Sequence, residues 1–331
     1  MNQKEGAKKA NAVFEGGGVK GTGLIGALKA TENLGYEFEH LAGTSAGAIV
    51  ACMIAAGYKA DEMNELLMDL DYLQFKDEGA LSKIPVAGPA LSILIEKGIY
   101  KGDFFEKWLR LVLLKKGVSK FRDLAMEEHI NNPRYKYRLQ VVASDITRGK
   151  MLVLPQDISY YGINPDELDV ARAVRMSMSI PYFFMPAVVR KNRTKSYLVD
   201  GGILSNFPVW LFDEDKLHSS LPTFGYKLVD PNENKPHKIF GPVTLFAAMF
   251  STMMEAHDAR YIQDHNFLRT IPIPTLGIQT TDFGITKEQK RALFKSGFSA
   301  AKKFFEEWDF TDYKKRQELE VGRREKLLLK K

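Results

Sequence analysis

The stretch AVFEGGGVKGTGLIGAL, Ala12–Leu28, decides how the rest of the chain is read. An apolar run ends in three successive glycines, and Gly16, Gly18 and Gly21 spell G-x-G-x-x-G. Gly21, Gly23 and Gly26 spell it again. Without a Cβ, such a loop turns tightly and brings backbone N–H groups up to a negative charge. The helix that follows adds the positive end of its dipole. The loop reads as an anion site, and the neighbouring segments decide between a pyrophosphate and some other anion.

Working outward, Ala10–Glu15 reads as a buried strand and Gly18–Leu34 as a helix with Leu24, Ala27 and Leu28 on one side. His40–Gly43 reads as a second strand and Ala46–Ala56 as a second helix. This β–loop–α–β–turn–α order opens a parallel sheet covered on both faces. The second strand runs straight into Gly43-Thr44-Ser45-Ala46-Gly47. In a strand–turn–helix context, G-x-S-x-G is a nucleophile elbow, with Gly43 and Gly47 permitting the sharp turn that lifts the Ser45 hydroxyl out of the sheet. A dinucleotide fold needs an acidic residue at the end of that strand to hold a ribose. Glu37 and Glu39 precede the strand, and a Walker-type loop is absent because Lys20 lacks the required spacing. Two adjacent βα turns instead set the Gly16, Gly17 and Gly18 amides against Ser45, as an oxyanion hole for acyl transfer.

A serine nucleophile needs a base. His40 lies beside the nucleophile strand, His129 and His218 sit in charged segments, and His237 lies in a loop rich in Pro and Asn. His257 and His265 fall in a helical stretch without metal-ligand spacing, and no carboxylate–histidine cluster suggests a metal or cofactor site. The carboxylates are sharper candidates. Asp200 ends the strand Ser196–Val199 and precedes Gly201 and Gly202, so it projects from a carboxyl edge where Ser45 also stands. Asp145, in VVASDIT, is the rival, its structural alternative being to tie down the following turn.

Elsewhere, Asp61–Gly117 reads as mostly helical. Arg138–Ser144 and Lys150–Leu154 read as strands joined by a turn at Thr147–Gly149, Val170–Ser179 as a helix, and Lys287–Trp308 as a long amphipathic helix. The apolar, Pro- and Gly-broken Ile84–Ile99 suits a cover over a lipid site. Met176, Met178, Phe183, Phe184, Met185 and the Leu245–Met254 stretch (with Phe246, Met249, Phe250, Met253 and Met254) are candidates for an acyl channel or for plain core. The chain has 331 residues, 45% hydrophobic and 27% charged, which fits one large globular domain. Its single cysteine, Cys52, excludes a disulfide framework. The net charge of +6 is concentrated after Thr311, where a tail ending in KLLLKK suits either a solvated helix or a membrane surface. No basic stripe with interleaved aromatics suggests nucleic acid. Neither a secretory leader nor a spanning segment is expected, which points to a cytoplasmic or peripheral membrane protein. The expected organisation is a flexible segment over residues 1–10, a domain over 11–310 and a charged tail over 311–331.

The constellation resembles the patatin-like phospholipase family over roughly Asn11–Pro208, and more loosely through the helical C-terminal part. The resemblance rests on Gly16–Gly21, on Gly43–Gly47, on Asp200-Gly201-Gly202 continuing through Asn206 and Pro208, and on SMSIPYFFMP, Ser177–Pro186. Lys20 stands where many members carry arginine. The resemblance implies an α/β fold with three layers, α/β/α, and a mainly parallel central sheet. It also implies a Ser45–Asp200 dyad without histidine, and hydrolysis of phospholipid or lysophospholipid esters without metal or cofactor. Two alternatives remain at this level: a Ser–His–Asp esterase acting on soluble esters, and a non-catalytic module binding lipid or nucleotide.

Overall fold

The computed structural model describes residues 8–79, 88–213, 221–231, 236, 239–259 and 268–316. The strands are β1 (Lys8–Phe14), β2 (Tyr36–Thr44), β3 (Gly98–Tyr100), β4 (Leu139–Asp145), β5 (Lys150–Leu154), β6 (Tyr182–Phe184), β7 (Ala187–Lys191), β8 (Thr194–Asp200), β9 (Thr223–Val229) and β10 (Thr270–Pro274). The helices are α1 (Gly21–Asn33), α2 (Ala46–Ala55), α3 (Ala60–Asp69), α4 (Gly88–Glu96), α5 (Asp103–Leu114), α6 (Val170–Ser177), α7 (Pro242–Ala259) and α8 (Lys287–Glu307).

The main sheet runs β10-β9-β1-β2-β4-β8-β7, with β5 also paired to β4; a small second sheet pairs β3 with β6. From β10 to β4 every pairing is parallel, whereas β5, β8 and β7 pair antiparallel. Side-chain alternation explains why both faces are covered. Ala12, Phe14, Leu41, Val141 and Ala143 enter the larger hydrophobic cluster, together with α1, α2, α6 and α8. Val13, Ala42 and Val142 enter the smaller one, with Tyr135 and the short 3-10 helix Val209–Phe212. The α/β reading therefore holds, as a mixed sheet that is mostly parallel and has a helical C-terminal part.

Element boundaries moved by a few residues, and the physical causes are local. The Gly18–Leu34 helix opens as a 3-10 turn, Gly18–Lys20, before α1 begins. β2 starts at Tyr36, four residues earlier than expected, because its amphipathic start pairs with Lys8–Ala10. In place of a mostly helical Asp61–Gly117, α3, α4 and α5 are separated by β3, whose pairing partner β6 lies more than eighty residues later. The proposed cover over Ile84–Ile99 falls partly outside the described residues, which resume with α4. Of the proposed channel residues, Met176, Met178 and Phe184 are buried core. Phe183 stacks on Phe283, with ring centroids 4.9 Å apart. Tyr313 is buried and its hydroxyl accepts the Thr223 amide at 3.2 Å, so the chain stays packed against β9 as far as that residue. No helix among the described residues is long and apolar enough to cross a membrane.

Candidate active site

The pairings of β4 build the site. β4 pairs with β2 over Leu139–Val142, with β5 over Val141–Asp145 and with β8 over Ala143–Asp145. Because β5 overlaps both of the others and a strand has two edges, β2 and β8 share one edge of β4. They run toward each other along it. Thr44 stands opposite Val142 and Asp200 opposite Ala143, adjacent rungs roughly 3.3 Å apart along the strand. The sequence reading placed Ser45 and Asp200 at a common carboxyl edge of parallel strands. The structure brings them together differently, through an antiparallel β8 whose end abuts the end of β2.

Ser45 follows β2 at once and caps α2, with φ 52° and ψ −123°. A non-glycine residue in this region is strained and needs a surrounding structure that enforces it. Here the enforcement is steric. A Cβ on Gly47 would strike the Phe14 and Glu15 carbonyls, and one on Gly43 would strike Gly47 itself. The elbow is thus clamped between β1 and α2. The Ser45 amide donates to Ser177 Oγ at 2.9 Å, and that hydroxyl donates to the Val142 carbonyl at 2.5 Å. Ser177 therefore holds the elbow at the sheet edge from the end of α6. Two residues on, the Ser179 carbonyl accepts the Asp200 amide at 2.9 Å. The buried Arg175 guanidinium donates to Ser179 Oγ, to Met185 O at 2.8 Å and to Gly102 O at 3.1 Å. One segment thus anchors the backbones of both Ser45 and Asp200. The sequence reading took Met176, Met178, Phe183, Phe184 and Met185 of this segment as channel or core and gave Ser177 and Ser179 no role, since a hydrogen bond spanning 132 residues leaves no local pattern.

Asp200 is 1% exposed. Its Oδ1 accepts from the Gly202 amide at 2.8 Å, while Oδ2 has no hydrogen-bond partner among the described residues. The Ser45 hydroxyl is near enough to steady the carboxylate, but the two do not close a hydrogen bond of normal geometry. Burial dominates and pushes the carboxyl pKa up to about 7, against the smaller opposing effects of Gly202 and Ser45. Gly201 lets the chain leave β8 against the Val142 carbonyl and within 3.0 Å of Thr44 Cγ2, measured from where a Cβ would lie.

The glycine loop borders the same place. A Cβ on Gly16 would lie 3.2 Å from Ser45 Cβ. Gly16 N–H is already committed to the Asn206 carbonyl at 3.2 Å, whereas no acceptor for the Gly17 or Gly18 amide is found among the described residues. Gly18 takes φ +55° against Thr280, a conformation and a fit that favour glycine. Beneath the loop, Glu15 is buried, accepts from the Leu228 amide and meets Lys227 Nζ at 3.4 Å. Its burial raises its pKa despite that lysine.

Asp145, the rival base, is equally buried but fully engaged. Oδ1 accepts from Thr147 N at 2.9 Å and Arg148 N at 3.2 Å, and Oδ2 from Tyr161 OH at 2.5 Å. It ties down the turn. Of the histidines, His40 and His129 lie together with Tyr135, back along β2 from Ser45. His218, His237 and His265, and the side chain of His257, fall outside the described residues. Contrary to the sequence expectation, the fold does make a carboxylate–histidine cluster, from Glu39, His40 and His129.

The model of the patatin-like phospholipase family matches residues 12–213. The uncharacterised protein YqhO of Bacillus subtilis is 41% identical over 302 residues, 91% of this chain and 99% of that protein. The cUMP-AMP-activated phospholipase of Escherichia coli is 27% identical over 201 residues, covering 59% of this chain and 55% of its own. Among solved structures, VipD from Legionella pneumophila shares the fold with a TM-score of 0.54 at 19% identity, covering 91% of this chain and 67% of VipD. Gly16–Gly21, Gly43–Gly47 and Asp200–Gly202 all fall inside the family match, and the chain belongs to the patatin-like phospholipase family.

Proposed function

We propose that Ser45 and Asp200 form a catalytic dyad that hydrolyses carboxylic esters of phospholipids or lysophospholipids through an acyl-enzyme. The observation that carries this reading is the Asp200 Oδ2 atom, buried, without a hydrogen bond among the described residues and beside the Ser45 hydroxyl. A carboxylate at its ordinary pKa accepts a serine proton poorly, and burial raises its basicity into the working range. Asp200 takes the Oγ proton as Oγ attacks the ester carbonyl. The Gly17 and Gly18 amides receive the developing oxyanion, aided by the N-terminus of α2. The alcohol or lysolipid leaves with the proton from Asp200. Water then enters, gives its proton to Asp200 and releases the acid from Ser45.

In this proposal Gly16 shapes the loop and does not donate, since its amide is engaged by Asn206. The buried Glu15 carboxylate under the loop weighs against a nucleotide phosphate there. Ser45 is 4% exposed, so a substrate enters only as neighbouring elements part. α7 is the natural acyl-binding neighbour: Met254 Cγ lies 3.4 Å from where a Gly202 Cβ would be, and Leu245, Met249 and Met253 of the same helix are exposed. The exposed Leu94 and Ile95 of α4 offer a second apolar surface for peripheral docking.

A fluorophosphonate probe tests the chemistry. It should label Ser45 alone, with labelling lost in Asp200→Asn and kept in His257→Ala and His265→Ala. Labelling elsewhere, or its loss in a histidine variant that stays folded, overturns the dyad. Shortening the chain to end after Arg316 tests the basic tail. Activity on a soluble ester should be unchanged while activity on anionic vesicles falls more than on neutral ones; equal vesicle activities would remove the tail from docking.

A further inference from the structure

The cluster of Glu39, His40 and His129 comes from a defect in β2. Ala10 pairs with Phe38 and Ala12 with Leu41, so two residues of β2, Glu39 and His40, oppose Asn11 alone. The Asn11 side chain patches this bulge by accepting the His40 amide at 3.3 Å. Phe38 and Leu41, three apart, both enter the larger hydrophobic cluster, so both residues between them are turned toward the other face. A regular strand would put Glu39 and His40 on opposite faces. On that other face the single-turn helix Glu127–His129, closed over the sheet by the Met126–Lys136 backbone hydrogen bond at 2.8 Å, delivers His129. The His40 and His129 ring centroids are 5.2 Å apart.

We propose that Glu39, His40 and His129 bind one Zn²⁺ ion that staples the Met126–Lys136 excursion to β2. Each residue offers one donor atom, and the three donors lie within 4.8 Å of one another. Two imidazoles and one carboxylate suit Zn²⁺, whereas Ca²⁺ and Mg²⁺ select oxygen shells. Around a tetrahedral Zn²⁺ neighbouring donors stand about 3.4 Å apart, from bond lengths near 2.1 Å. The Glu39 Oε1–His129 Nε2 edge is already 3.5 Å. Side-chain rotation closes the remainder.

Lys9 Nζ holds the other carboxylate oxygen, Oε2, at 3.0 Å, which orients Glu39 for one-oxygen ligation and lowers the site's net negative charge. His40 is buried while the Glu39 and His129 side chains keep 13% and 15% exposure, so the fourth position opens toward water. His40 precedes Ser45 by five residues, roughly 15 Å along an extended strand. The ion therefore touches no reacting atom, and this inference is independent of the dyad.

The test uses untagged full-length protein, stripped with EDTA, desalted and titrated with Zn²⁺ or Co²⁺. One equivalent should bind, Co²⁺ should give the visible bands of a tetrahedral ion, and Tm should rise, because the ion binds the folded chain in preference to the unfolded one. Soluble-ester turnover should be equal with and without Zn²⁺. His129→Ala and Glu39→Gln should each weaken binding at least ten-fold, with His265→Gln as an unaffected control. Absence of a stoichiometric site, binding that survives both variants, or equal loss in the control overturns the proposal. X-ray absorption of the Zn²⁺-loaded wild-type protein provides an arm that needs no variant: a shell lacking two imidazole nitrogens would refute the assignment.

Discussion

Asp145 and Asp200 stand two rungs apart on neighbouring strands, both buried, both followed by a turn, and they differ in one respect. Asp145 collects three donors, from Thr147, Arg148 and Tyr161. Asp200 collects one among the described residues, from Gly202, and keeps an oxygen without a partner there. Burial alone does not make a base. A buried carboxylate whose lone pairs are filled is a fastener, and one left partly unfilled carries a raised proton affinity and a position from which to use it. The β4–β8 pairing supplies the difference, because Asp145 lies within its own strand's turn while Asp200 is delivered to the Ser45 elbow.

The comparison breaks most sharply on activity. Asp200→Asn and Ser45→Ala should each lower kcat/KM on a soluble ester by about 10³-fold or more, and the double variant should fall little further, because the pair acts as a unit. Asp145→Asn should leave kcat/KM within a few-fold. Equal losses at the two aspartates would end the distinction. The next effect is on pH. With Asp200 at about 7, kcat/KM should fall close to ten-fold per pH unit below pH 6 and reach a plateau above pH 8. A profile flat from pH 5 to 8 would exclude Asp200 as the base.

Stability should move in opposite directions at the two sites. A carboxyl raised from 3.8 to about 7 in the folded state favours folding while protonated. It costs stability as pH rises through that interval, on the order of 4 kcal/mol once ionised. Asp200→Asn should therefore raise Tm relative to wild type at pH 8 and much less at pH 4, while killing activity. Asp145→Asn should lower stability by about 1–3 kcal/mol through its weakened charged hydrogen bonds. Thermal melts of both variants at the two pH values check the signs. The smallest effect is expected at Ser177→Ala, which strips the acceptor from the Ser45 amide. A loss of about ten-fold in kcat with little change in KM would mark it as a positioning residue, and an unchanged kcat would make its role purely structural.

The sequence by itself determined the local parts. Gly16–Gly21, Gly43–Gly47 and Asp200–Gly202 are short-range patterns, and each could be read because sterics within a few residues dictate a tight turn, an elbow or a strand end. Short apolar runs likewise announced β1, β2 and β4, whose faces feed two separate clusters. Tertiary structure alone decided how the parts meet. The antiparallel entry of β8, the anchoring of Ser45 and Asp200 by Ser177 and Ser179, and the diversion of the Gly16 amide to Asn206 rest on pairings across 21 to 190 residues of chain. The bulge at Glu39 and His40 belongs to the same class, since one unpaired residue reverses a face without changing composition or motif. Asp145 and Asp200 look alike in sequence for this reason: each accepts amides of its own turn, and what separates them is the Tyr161 hydroxyl that packing brings to the second oxygen of Asp145, with no counterpart at Asp200 among the described residues.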